Sequence, residues 1–150
     1  MNDFKQKLIS DIRVKLTEEF DRNFERKAFF DRRWPRRRVE HGKGSLLVVT
    51  GTLRRSIRST TTHDGVRFTS AVPYAAIHNE GGRVPQSVRS HTRRGKGGKR
   101  HTVKAHTRHI AMPERRFIGD SPRTRQIIEN IIERNISRFS EELARRMKQK

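Results

Sequence analysis

The N-terminal part of the chain carries apolar residues at every fourth position. These residues are Phe4, Leu8, Ile12, Leu16, Phe20 and Phe24, with Ile9 beside the row. The spacing predicts an amphipathic helix from about residue 2 to residue 27. Because a four-residue step drifts by about 40° around a helix of 3.6 residues per turn, this apolar stripe should contact more than one partner.

A second long helix is predicted at the C-terminal end. Ser121 and Pro122 supply an N-cap and a first-turn proline. Apolar residues then recur at helical spacing: Ile127, Ile128, Ile131, Ile132, Ile136, Phe139, Leu143 and Met147.

The middle of the chain predicts shorter elements. After an apolar entry at residue 46, Thr50 is a candidate N-cap for a short helix, and Leu53 and Ile57 lie on one face of it. Residues 58–70 alternate around an Asp-Gly pair, which is typical of a β-hairpin.

Another short helix is predicted over residues 73–82. Pro73 suits its first turn, and the Gly81-Gly82 pair supplies a left-handed stop. Tyr74 and Ile77 are expected to point inward.

Two basic segments separate these elements. Residues 29–45 combine proline and glycine with an arginine cluster at 32, 33 and 36–38, so they predict a basic loop. Residues 83–111 contain no acid and nine cations: Arg83, Arg89, Arg93, Arg94, Lys96, Lys99, Arg100, Lys104 and Arg108. Here residues 84–92 and 101–110 are expected to pair as an extended β-arm, with a tip at 93–100 that should be mobile alone.

Composition limits the class of protein. The 150 residues are 31% hydrophobic and 35% charged, with a mean hydropathy of -0.97, so one domain with a modest core is expected over 1–150. Lys and Arg number 36 against 16 Asp and Glu, a net charge of +20. Such a surplus points to a polyanion or an acidic partner and away from a stand-alone metabolic enzyme.

No site of reaction chemistry is predicted. The absence of cysteine excludes disulfides, thiolate zinc sites and cysteine nucleophiles. The arm histidines at 91, 101, 106 and 109 lack an acid to complete a metal site, and no phosphate-cradling loop is present. We therefore expect no catalytic residue, no cofactor, no metal and no enzymatic activity. No apolar run approaches the roughly 20 residues of a membrane span, so no membrane partner is expected.

Three strings in the middle of the chain form an ordered set. They are Thr-Gly-Thr-Leu-Arg-Arg-Ser-Ile at 50–57, Val-Pro-Tyr-Ala-Ala-Ile-His-Asn-Glu-Gly-Gly at 72–82 and Met-Pro-Glu-Arg-Arg-Phe-Ile-Gly at 112–119. In this order the chain resembles the phage virion morphogenesis family of tail-completion or head–tail joining proteins. In the third string Glu114 and Arg116 replace the family's alanine and second proline. The matching residues are Thr50, Gly51, Leu53, Ser56, Ile57, Pro73, Tyr74, Ala75, His78, Gly81, Gly82, Pro113, Phe117 and Gly119.

The resemblance implies an α+β fold in which long N- and C-terminal helices flank a small antiparallel β-sheet. It implies a structural virion protein of a tailed phage, assembled in the host cytoplasm and located in the tail or neck. Copies would form a ring, of six or a multiple of six, that joins the tail to the head connector. His78 would bond across a turn or a subunit contact.

The partners implied are further copies of the chain, the head connector, and tail-tube or terminator proteins. The basic arm could also contact packaged double-stranded DNA without reading its sequence. The alternative is a stand-alone nucleic-acid-binding protein, such as a ribosomal-type RNA binder. The two differ in oligomerisation, since an RNA binder should stay monomeric.

Overall fold

A computed structural model describes residues 2–37 and 44–149. Its helices are α1 (Asn2–Arg26), α2 (Thr52–Ser56), α3 (Ala75–Glu80) and α4 (Pro122–Lys148). Its strands are β1 (Ala28–Phe29), β2 (Arg32–Arg33), β3 (Ile57–Thr61), β4 (Val66–Ser70), β5 (Gly82–Val88), β6 (His91–Arg94), β7 (Arg100–Val103) and β8 (His106–Met112). Residues 38–43 of the predicted basic loop lie outside the described residues.

The α+β class is confirmed. The strands pair antiparallel in four two-stranded sheets, β1 with β2, β3 with β4, β5 with β8 and β6 with β7. The expected small sheet is therefore divided, because each strand pairs within its own hairpin or ribbon. The β3–β4 hairpin matches the prediction, and the Thr62 amide donates to the Gly65 carbonyl at 2.8 Å across its turn.

The apolar stripe of α1 contacts two different sets of partners, as its drift predicts. Leu16 and Phe20 form the first core cluster, together with Phe29, Ile127 and Ile131. One turn further along α1, Phe24 belongs to a second cluster, which also contains Trp34, Leu53, Ala75 and Phe117. Helix α1 is thus the common support of both clusters.

Helix α4 begins as predicted, because the Ser121 hydroxyl accepts the Thr124 amide at 3.0 Å. Its stripe is buried only in the first half, at Ile127 and Ile131. Further along, four large apolar side chains on the same stripe are exposed: Ile136, Phe139, Leu143 and Met147.

The segment predicted as a basic loop contributes to the core. Strands β1 and β2, of two residues each, form a short hairpin in which Phe29 is buried. Trp34 is also buried, and its Nε1 donates to the Arg116 carbonyl at 2.6 Å. The arginine-rich composition of the segment predicts an exposed loop and gives no sign that Phe29 and Trp34 are buried. These two aromatic side chains attach the segment to α1 and to the third motif string.

Candidate functional site

The first motif string forms α2, but with a different cap from the one predicted. Gly51 occupies the N-cap with a φ of 71°, and no side chain caps the helix. The Thr50 hydroxyl instead lies 2.7 Å from the Thr52 hydroxyl. A left-handed N-cap suits glycine, so Gly51 takes the place expected for Thr50.

Leu53 and Ile57 also differ from the prediction. Leu53 is buried in the second cluster, whereas Ile57 is the first residue of β3, pairs with Ser70 and packs against the cluster from there. Ser56 ends the helix and its hydroxyl lies 2.6 Å from that of Ser70. The string therefore forms the short helix α2 and leads directly into the β3–β4 hairpin.

An arginine of the same string attaches α2 to α1. Arg54 donates through Nε and Nη2 to both carboxylate oxygens of Asp21, at 2.6 and 2.5 Å, and also to Glu25 at 2.7 Å. The hydrogen bonds from Arg54 hold the pKa of Asp21 below its usual value, and those to Asp21 and Glu25 raise the pKa of Arg54.

The second string forms α3, which begins two residues later than predicted. Pro73 precedes the N-cap residue Tyr74, and the Ala75 amide donates to the Val72 carbonyl at 3.0 Å. This turn directs Ala75 into the core and leaves Tyr74 44% exposed. The prediction that Tyr74 packs inward is therefore wrong, whereas Ile77 is half-buried.

Gly81 ends α3 as predicted, with a φ of 72° and its amide bonded to the Ile77 carbonyl at 2.9 Å. A Cβ at this position would lie 2.8 Å from the backbone nitrogen of Glu114. Glycine is thus needed both for the left-handed backbone and for the approach of the third string. Gly82, with a φ of 136°, opens β5.

The third string is anchored by Phe117, which is only 1% exposed. Two asparagines that the sequence analysis does not identify hold its backbone. The side-chain Oδ1 of Asn79 accepts the backbone amides of Phe117 and Ile118 at 2.9 and 3.1 Å, and the side-chain Nδ2 of Asn23 donates to the Phe117 backbone carbonyl at 3.1 Å. Asn23 lies inside a helix, where asparagine is unfavourable without such a role. Elsewhere in this string Pro113 and Gly119 are half-buried, and Gly119 has a φ of 144°.

The three strings meet at a cleft of about 240 Å³, which we call the His78 cleft. Its lining includes Leu53 from the first string, Tyr74 and His78 from the second and Arg115 from the third. The Arg115 amide donates to the His78 carbonyl at 2.8 Å, which joins the second and third strings directly.

Two titratable side chains in the His78 cleft are perturbed. Burial, followed by the nearby charge of Arg115, lowers the pKa of His78. Burial, followed by the charge of Arg37, lowers the pKa of Arg115. The His78 ring also lies edge-on to Tyr74, with centroids 5.9 Å apart. Arg37 belongs to the arginine cluster predicted as part of a basic loop, and Arg115 has no predicted role. The signal for Arg115 in the third string is a cation two residues before the Phe117 anchor.

The predicted basic arm is present as a ribbon. Gly82 to Val88 pair with Met112 to His106, and His91 to Arg94 continue the same register against Val103 to Arg100. All nine of its cations are exposed, and none of them forms an ion pair with the residues that the structure describes. At the tip Arg94 lies directly opposite Arg100. Like charges in such a pair repel each other. The positive charge of the arm is therefore unfavourable at its tip, and no acid in the described chain neutralises it.

The arm histidines make local contacts. The Nδ1 of His91 lies 2.9 Å from the Arg89 carbonyl, and that of His106 lies 2.8 Å from the Lys104 carbonyl. Across residues 2–37 and 44–149, no three metal-ligating side chains are grouped to hold an ion. In the same part of the chain, no helix is long and apolar enough to cross a membrane.

Comparison with known proteins identifies the family of the chain. The model of the phage virion morphogenesis family matches residues 6–137, which include all three motif strings, α1 and the first part of α4. No curated protein and no solved structure matches the chain.

Proposed function

The chain belongs to the phage virion morphogenesis family, and from this premise we propose that it forms a ring at the head-proximal end of a phage tail, where it joins the tail to the head connector. The family indicates a structural protein of the virion. We propose further that the ring contains six copies or a multiple of six and that the chain acts without catalysis.

The burial of the motif residues supports a structural role. Leu53, Ala75 and Phe117 lie in one core cluster, and Gly81 permits the close approach of two strings. These four matching residues thus organise the fold, which leaves exposed surfaces to carry the assembly contacts.

The exposed half of α4 is the observation that carries the ring proposal. Ile136, Phe139, Leu143 and Met147 are 51%, 43%, 44% and 78% exposed, and they lie on the C-terminal half of α4, beside the face that is buried at Ile127 and Ile131. A row of four large apolar side chains is unusual on a free surface of so charged a chain, and rows of this kind mark protein–protein contacts. Copies that cover each other's stripe would be joined through it.

The experiment is sedimentation of the purified full chain, with electron microscopy of the oligomer. Wild type should form a closed ring, and the double variant Phe139→Ser, Leu143→Ser should remain folded but sediment as a monomer. Glu141→Ser is the matched control, since residue 141 lies on the opposite side of the helix by its 3.6-residue periodicity. Rings that survive the double variant would contradict the α4 contact, and a monomeric wild type that is absent from particles would contradict the proposed function.

The second candidate is a stand-alone nucleic-acid-binding protein. The nine exposed arm cations favour it, since none of them pairs with an acid in the described part of the chain. Such a protein should stay monomeric and bind RNA in that form. Within the ring proposal, the same cations would face the packaged DNA that passes the tail end.

A further inference from the structure

The His78 cleft contains a buried positive charge without a counter-charge. Arg115 is only 6% exposed. Its Nε and Nη2 donate to the backbone carbonyls of Pro35 and Arg36, at 3.0 and 3.3 Å. Among the described residues, no carboxylate pairs with it and Nη1 has no hydrogen-bond partner. A largely buried guanidinium whose described partners are all neutral acceptors is costly, so the described part of the cleft lacks a negative group.

The neighbours of Arg115 increase this imbalance. Arg37 lines the same cleft and adds a second positive charge, while its Nη2 donates to the Ser45 carbonyl at 3.0 Å. The Nδ1 atom of His78 is buried and has no hydrogen-bond partner among the described residues. Three nitrogen-bearing side chains therefore surround a space in which an oxyanion would be stabilised.

The shape of the cleft limits what can reach Arg115. With a volume of about 240 Å³ and a nearly buried guanidinium in its lining, it has room for a side-chain-sized group. Its lining includes exposed apolar side chains beside polar ones, since Val49 and Tyr74 are 63% and 44% exposed. Aromatic and aliphatic residues around a desolvated arginine are typical of the centre of a protein–protein interface.

We propose that the His78 cleft is the docking site for an aspartate or glutamate side chain of a different, net acidic virion protein. The carboxylate would accept hydrogen bonds from the free nitrogens of Arg115 and Arg37 and supply the missing negative charge. A net acidic partner is favoured over a second copy because a chain of charge +20 attracts it, whereas a second copy must overcome the repulsion between two such charges through its apolar α4 contact. The partner class rests on the proposed function, whereas the charge imbalance does not.

The direct test is NMR of the purified full chain during titration with sodium acetate, with sodium chloride as the ionic-strength control. Acetate should shift the Arg115 Nε–H and His78 ring signals saturably. Arg37→Gln should weaken acetate binding about tenfold, as expected for loss of one charged hydrogen bond. Arg36→Gln removes the same charge one residue away, from a side chain that does not line the cleft, and should leave acetate binding unchanged. Equal effects of acetate and chloride, or displacement of acetate by a short DNA duplex, would overturn the proposal.

The variant Glu40→Gln tests whether a carboxylate of the same chain, and not of a partner, occupies the His78 cleft. Glu40 is the acid nearest to Arg37 in the sequence and lies outside the described residues. We expect this variant to bind acetate as wild type does. If it binds acetate about tenfold more tightly, the chain's own acid occupies the cleft and the proposal is wrong.

Assembly identifies the partner and separates the two proposals. Arg37→Gln should reduce incorporation into particles, Arg36→Gln should not, and a reconstruction of the particle should show a carboxylate of another protein against Arg115. An empty cleft in a particle that contains the chain would overturn the docking proposal and leave the proposed function intact. Self-association of the pure chain that only Arg37→Gln abolishes would make the partner a second copy and contradict our choice. If wild type never enters particles, the proposed function fails, and the acetate titration still decides whether the cleft binds carboxylates.

Discussion

Phe117 joins the N-terminal helix to the third motif string. Its ring lies 5.1 Å from that of Phe24, and its backbone is held from both sides by Asn79 and Asn23. This one side chain therefore connects α1, α3 and the segment before α4, although the string itself has no regular secondary structure. At the scale of single residues, the fold depends on such anchors between distant parts of the sequence.

We predict that Phe117→Ala lowers the free energy of unfolding by about 3–5 kcal/mol, because it removes a fully buried aromatic ring and leaves a cavity. For a small domain this is a large part of the total stability. Urea unfolding followed by circular dichroism measures the effect. Val14→Ala is the control, since truncation of an apolar side chain that is 60% exposed should cost about 1 kcal/mol or less. Equal costs at the two positions would contradict the anchoring role of Phe117.

At the scale of elements, the arm differs from the helical body. No residue of β5, β6, β7 or β8 belongs to either core cluster. A two-stranded ribbon is only marginally stable by itself. In this arm Arg94 also lies opposite Arg100 at the tip, and the repulsion between them lowers the stability of the ribbon further. A polyanion beside the tip would relieve this repulsion, which makes DNA a suitable partner for the arm.

We predict that the arm determines how DNA binding responds to salt. Replacing Arg93, Arg94, Lys96, Lys99 and Arg100 with serine should flatten the slope of log affinity against log salt by several units, since each phosphate contact contributes about 0.9. Fluorescence anisotropy with a labelled duplex over a salt series measures the slope. The control replaces five exposed cations of α4 (Arg123, Arg125, Arg138, Arg145 and Arg146), which should change it much less. An unchanged slope in the arm variant would favour an acidic protein as the partner of the arm.

At the scale of the whole molecule, charge is distributed unevenly. Helix α1 contains six acids and six bases (6 − 6 = 0), and many of them pair, as Glu19 does with Lys15 and Arg26. The arm has nine bases and no acid. The charges of α1 therefore cancel within the helix. The positive charge of the arm, and the net charge of +20 for the whole chain, repel a further copy that approaches.

We predict that salt has opposite effects on the two associations of this chain. Raising sodium chloride from about 50 to 500 mM should increase the fraction of purified chain in rings, because screening removes repulsion while the apolar α4 contact persists. The same change should weaken DNA binding. Sedimentation velocity in parallel with anisotropy measures both. A ring fraction that falls with salt would show that charge pairs, and not the α4 stripe, hold the copies together.

Local patterns in the sequence are sufficient for the elements whose signals lie within a few residues of each other. The four-residue repeat predicts α1, Ser121 and Pro122 predict the start of α4, and the absence of acid over 83–111 predicts an exposed arm. The family resemblance likewise follows from short ordered strings. In each case the determining interactions are intrahelical, intrastrand or purely electrostatic, so neighbouring residues contain the information.

Only the tertiary structure decides which of these residues meet. It buries Ala75 and exposes Tyr74, because a single turn before α3 sets the direction of both side chains. It also places Trp34 in the core despite its arginine-rich neighbours. The His78 cleft combines residues 37, 78 and 115, whose approach depends on packing between three separate segments. Such packing depends on contacts between residues that are far apart in the sequence, so the local spacing of apolar and polar residues does not predict it.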